Sequence, residues 1–133
     1  MIDIKSLRIG NIVKTIQGVG RVEQIRHTGK HGHGVILEGM YGGSYIEYCE
    51  GVPLTEEVLL KCGFERRGAY LGIAHVDTVY WYNLKNQILY IEYTDSPFSK
   101  DEDMKYPISS PIKHLHTLMN IIYDLTGKEL EYE

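Results

Sequence analysis

Between Gly10 and Tyr48, apolar and polar side chains alternate in short runs cut by glycine. Residues 11–16, 21–26, 33–38 and 44–48 are short runs containing β-branched and aromatic residues, and turns at 17–20, 28–32 and 39–43 separate them. Glycine is the residue that adopts positive φ without strain, so those turns are where the chain is expected to reverse. Strands this short and this evenly spaced predict a small SH3-like antiparallel β-barrel over residues 1–51. A module of that size buries too little surface to be comfortable alone, so it is expected to pack on the remainder of the chain.

The period changes after residue 51. Thr55 suits an N-cap, Glu56 and Glu57 fall in the first turn, and Lys61 and Gly63 close a short helix over 55–62. Leu54 is placed to staple against Val58 or Leu59, while Leu59, Cys62 and Phe64 make the apolar face. Residues 76–82 and 87–93 read as the two arms of a hairpin turning at 83–86. Aromatic residues on both of its faces imply that one face meets a helix and the other is partly covered or wet.

Residues 94–109 hold Pro97, Pro107 and the run Asp101-Glu102-Asp103, and read as a surface loop long enough to be mobile or functional. Ser110 then caps a helix over 111–126 with Pro111 in first position. Ile112, Leu115, Leu118 or Met119, Ile122 and Leu125 recur on one face, and Thr126-Gly127 ends it. Leu130 and Tyr132 alternate with glutamates, as in a guarded edge strand. The fold class is therefore α+β: the barrel of residues 1–51 packed, as one unit, on a second α+β module over 52–133 whose long helix covers the hairpin sheet.

Composition adds charge and class. The chain has 133 residues, eleven Tyr against two Phe, and a net charge of −4. A field of that sign does not gather nucleic acid or anionic membrane. The charge is uneven, however: six basic groups and one acid lie between Lys5 and Gly34, whereas the last six residues carry three Glu against one Lys. No run approaches the roughly 18 apolar residues of a membrane span, so no membrane partner is expected and the location is expected to be cytoplasmic. Cys49 and Cys62 have neither the spacing nor the company of a zinc site or disulfide framework, and read as buried free thiols.

Three blocks carry a resemblance. They are Leu7-Arg8-Ile9-Gly10-Asn11-Ile12-Val13; Val52-Pro53-Leu54-Thr55-Glu56-Glu57-Val58-Leu59-Leu60-Lys61-Cys62-Gly63-Phe64; and Ile112-Lys113-His114-Leu115-His116-Thr117-Leu118 through Leu125-Thr126-Gly127-Lys128-Glu129-Leu130. Together they resemble a family of small uncharacterised bacterial and bacteriophage-type proteins, over nearly the whole chain. This sequence has Val58 where that family commonly has Trp, Cys62 where it has a larger apolar residue, and Thr117 in place of a Gln. The resemblance implies a setting among mobile-element or prophage genes, where many small proteins bind a partner instead of catalysing.

The candidate chemistry is sparse. His31-x-His33, with His27 across a turn, is the one arrangement that approaches zinc or nickel geometry, but no carboxylate or thiol completes it and no metal is expected. His75 and Asp77 share a strand face without a nucleophile, and His114 and His116 do not share a helix face. Asp101, Glu102 and Asp103 lack the alternating oxygens of a calcium loop. Gly18-x-Gly20 lacks the lysine and the following helix of a phosphate cradle, so no cofactor is expected. These features predict a non-enzymatic binding or accessory module acting through protein contacts or self-association, with Tyr41, Tyr45 and Tyr48 as its contact residues. The alternative is a nucleic-acid-binding module using Arg8, Lys14, Arg21, Arg26 and Lys30, and a second alternative is an enzyme of unknown reaction.

Overall fold

A computed structural model describes residues 2–27, 32–40, 42–93 and 105–133. It is α+β, with two antiparallel sheets and one long helix. The chain divides into two compact units, Met1–Pro53 with His114–Glu129, and Leu54–Lys113 with Leu130–Glu133.

In the first unit β1 (Ile12–Thr15), β2 (Gly18–His27), β3 (His33–Leu37), β4 (Ser44–Tyr45) and β5 (Glu50–Gly51) form one sheet in the order β4-β3-β2-β1-β5. A tight turn at Ile16 and Gln17 joins β1 to β2, with Gly18 at φ +116°. A register shift between Val22 and Gln24 interrupts the β2/β3 ladder. Val13, Val22, Val35, Leu37 and Cys49 form a core cluster with Ile2 and Leu7. Among the described residues β4 and β5 share no ladder.

The strand expected over 44–48 stops at Tyr45 and tightens into a 3₁₀ turn, Ile46–Tyr48, closed by Cys49 N–H donating to the Ile46 carbonyl. The apolar Cys49 is thereby fully buried, and the chain turns into β5, which pairs Val13 with Gly51 and Lys14 with Glu50.

The long helix, α2 (Leu115–Thr126), begins later than Pro111 and belongs to the first unit, whereas its sequence pattern places it on the 76–93 hairpin. Tertiary hydrogen bonds take precedence over helix propensity at its start. Ile112 N–H donates to Gln87 O and Leu115 N–H to Val52 O, while His114 bridges Pro53, so residues 112–114 stay extended and His114 becomes the N-cap. Leu115, Leu118, Met119 and Ile122 are buried on one face. Ile12 N–H points at Met119 Sδ at 3.4 Å, and the fully buried Asn11 donates to Asn120 Oδ1 at 2.7 Å. The helix ends as the sequence predicts, with Gly127 left-handed at φ +72°.

The second unit holds α1 (Glu56–Lys61) and the sheet β10-β9-β8-β7-β6, made from β6 (Glu65–Arg67), β7 (Tyr70–His75), β8 (Thr78–Asn83), β9 (Leu89–Tyr93) and β10 (Tyr106–Pro107). Thr55 caps α1 by accepting from Val58 N–H at 3.2 Å, and Gly63 follows at φ +91°. The expected hairpin is β8 and β9, but Val76 and Asp77 form the turn before it and not its first arm. Before them lie β6 and β7, which sequence reasoning missed because Gly72 and Ala74 dilute the β pattern.

Leu71, Tyr80, Tyr82 and Leu89 are buried on one face, and Tyr82 donates to the Ile112 carbonyl at 2.6 Å. Burial pushes the Tyr82 phenol up to about 12. On the other face Tyr70, Trp81 and Tyr90 are half-buried. Of the loop expected over 94–109, residues 94–104 lie outside the described residues, and Tyr106 and Pro107 pair with Ile91 and Tyr90 as β10. The edge strand expected at Leu130 and Tyr132 does not form; Leu130 is buried, and Glu133 N–H donates to Lys61 O. Among the described residues no helix is long and apolar enough to cross a membrane.

Candidate partner-binding groove

Tyr45 ends β4 and precedes the 3₁₀ turn, and one turn of that tighter helix brings Tyr48 round beside it. Their ring centroids are 6.4 Å apart and the planes are tilted by 55°. Both rings face solvent, as does Ile16 at the β1–β2 turn, which is 91% exposed. These three side chains line one groove of ≈ 560 Å³, together with Lys14, Glu47 and Glu50. Lys14 stands opposite Glu50 across the β1/β5 ladder, so the groove lining carries both signs of charge beside the apolar side chains. The Cys49 thiol donates to Tyr45 O at 3.5 Å, and burial pushes that thiol up, away from thiolate chemistry.

The structure thus brings together Tyr45 and Tyr48 from the three tyrosines expected to make contacts; Tyr41 lies outside the described residues. Sequence reasoning missed Ile16, Glu47 and Glu50. The alternating pattern puts Ile16 inside a strand, and only its place directly before a Gln-Gly turn hints that it sits at a tip.

The described members of the basic set Arg8, Lys14, Arg21, Arg26 and Lys30 have different surroundings. Arg8 donates twice to the Glu129 carboxylate and packs over the Tyr123 ring at 4.1 Å. Arg21 donates to Gly10 O at 2.6 Å. Lys14 lines the groove, Arg26 is exposed beside Gln24, and Lys30 lies outside the described residues.

Among the histidines, His27 and His33 are backbone partners across β2 and β3, and His31 lies outside the described residues. Among the described residues no three His, Cys, Asp or Glu side chains are grouped to hold a metal. His75 ends β7, and Val76 at φ +54° turns the chain before Asp77, so those two share no strand face. The acidic run Asp101, Glu102 and Asp103 is outside the described residues.

His114 and His116 correct the sequence reading. Because His114 is the extended N-cap and not a helical residue, its ring stacks on His116 with centroids 5.8 Å apart. His116 is buried, its Nδ1 has no hydrogen-bond partner among the described residues, and burial together with His114 lowers its pKa. No protein-family model, curated protein or solved structure matches this chain.

Proposed function

We propose that this chain is a non-enzymatic binding module acting through protein contacts, with the groove beside Tyr45 and Tyr48 as its contact face. The observation that carries this reading is the grouping of Tyr45, Tyr48 and Ile16, three exposed apolar side chains, around one depression that Lys14, Glu47 and Glu50 also line. Aromatic anchors inside a polar rim are what protein interfaces enrich. The first unit is read as a small SH3-like barrel left open between β4 and β5. Its strand order, the irregularity in β2 and the 3₁₀ turn that leads the last strand back beside the first support that wiring.

Protein is favoured over nucleic acid because Arg8 and Arg21 are engaged within the first unit, which removes two of the cations a phosphate track would need. A setting among mobile-element or prophage genes is what the resemblance implies, and it suits an accessory role.

The test is capture by immobilised protein, comparing the unaltered chain with Ile16→Ser, with Tyr45→Ser/Tyr48→Ser, and with Leu125→Ser as an exposed control on α2. One protein should be retained by the unaltered chain and the control, and lost at least about tenfold with the groove variants. Equal retention by all four, or salt-sensitive capture of an oligonucleotide that Lys14→Ala and Arg26→Ala abolish, overturns the reading.

A further inference from the structure

The outer face of the second unit's sheet carries a cluster that the groove reading does not use. Gly72 in β7 faces Trp81 in β8 directly, and a Cβ at Gly72 would lie 2.5 Å from Trp81 Cε3 and Cζ3. The indole therefore lies across the bare backbone of β7, where only glycine leaves room. Tyr70 meets it edge-on at 6.3 Å, and Tyr90, the β9 neighbour of Trp81, meets Tyr70 edge-on at 5.7 Å. The Trp81 indole N–H donates to Glu92 Oε2 at 3.2 Å, which ties a carboxylate to the ring.

Into this arrangement reaches Lys105. Its ammonium is 5.1 Å from the Tyr70 centroid, 5.2 Å from that of Trp81 and 3.6 Å from Glu92 Oε2, with the side chain 18% exposed. Two aromatic faces and one carboxylate converging on a single cation are the elements of an ammonium cage. We propose that Tyr70, Trp81 and Glu92 form a binding site for an organic ammonium group, and that Lys105 occupies it from within the same chain as an autoinhibitory plug.

A primary ammonium is compact and strongly hydrated, whereas an alkylated one sheds water more readily and offers more surface to the rings. An external ligand must displace Lys105, so its apparent affinity is reduced by the fraction of molecules in which the plug is in place. Opening the site in advance removes that reduction.

Trp81 is the only tryptophan in the chain, so its fluorescence reports on the site alone. The experiment titrates tetramethylammonium and choline into the full-length unaltered protein, Lys105→Ala and Lys105→Gln, with 3,3-dimethyl-1-butanol as the neutral counterpart of choline. Lys105→Ala and Lys105→Gln should give a saturable change in Trp81 emission with both cations, at least about tenfold tighter than the unaltered chain. The neutral alcohol should give none, and Glu92→Gln added to Lys105→Ala should weaken cation binding. The proposal is overturned by absence of saturable binding in folded Lys105 variants or by equal binding of the neutral alcohol. Unfolding of both Lys105 variants also overturns it, because Lys105 would then be part of the sheet's structure and not a displaceable occupant.

Discussion

Arg8 and Glu129, separated by 121 positions, meet in a two-pronged ion pair, with Arg8 Nη1 and Nη2 at 2.6 and 2.9 Å from the two carboxylate oxygens. Arg8 Nε also donates to Asn120, so one guanidinium joins the N-terminal segment to α2 and to Glu129 beyond its C-cap. The side chains are 28% and 30% exposed, and a planar fork on a carboxylate at that depth is stronger than a surface pair but still screened by salt. Arg8→Lys keeps the charge and loses the fork. It is expected to cost about 1 kcal/mol in urea unfolding, with Arg8→Ala costing more, because packing on Tyr123 goes too.

Gly72→Ala is expected to destabilise the second unit by about 1–3 kcal/mol, since the added methyl would meet the Trp81 ring and one of them must shift. Emission from Trp81 should change in the same variant. An unaltered spectrum with unaltered stability would show that the ring does not lie across β7.

Val76 sits at φ +54° in the two-residue turn between β7 and β8, where a β-branched side chain is strained, and it is 83% exposed, so burial gives nothing back. Val76→Asn or Val76→Gly should therefore raise the thermal midpoint, by a stabilisation of about 1 kcal/mol. Calorimetry on either variant checks this, and a lowered midpoint contradicts it.

Protons bear on the first unit through His116. Its pKa is lowered in the native state, so above about pH 6.5 the imidazole is neutral both folded and unfolded, and its contribution does not vary. Below that value the unfolded chain takes up a proton that the buried ring resists, and stability falls as pH drops until the native ring is protonated as well. Urea midpoints between pH 7.5 and 5 should fall more steeply for the unaltered protein than for His116→Gln. Parallel curves would remove His116 from the account.

Several element ends are legible in local signals. Thr55, Lys61 and Gly63 mark α1 because capping and dipole effects act within a few residues, and Gly127 marks the end of α2 for the same reason. The start of α2 is not legible, because Val52 and Gln87 supply the partners that hold residues 112–115, and no local pattern encodes them. Strand β7 is hidden by Gly72, whose lack of a side chain looks like a breaker in sequence and is a seat for Trp81 in space. Of the candidate groove, Tyr45 and Tyr48 are visible as aromatic residues near glycine turns. Ile16 is not, since its exposure depends on β1 ending at Thr15.

The division of the chain also dictates an order of assembly. The strands of the first unit emerge early in synthesis, but the helix that covers Ile12 and the partner of Arg8 are made only after all of Leu54–Lys113. The nascent N-terminal sheet must therefore wait with Asn11 and Ile12 uncovered, while the second unit already has both strands of its central hairpin. Long-range closure of this kind slows folding in general, because its loop entropy must be met before its contacts form. Shortening the chain before His114 would leave that early sheet permanently unfinished and prone to associate through the face α2 should cover.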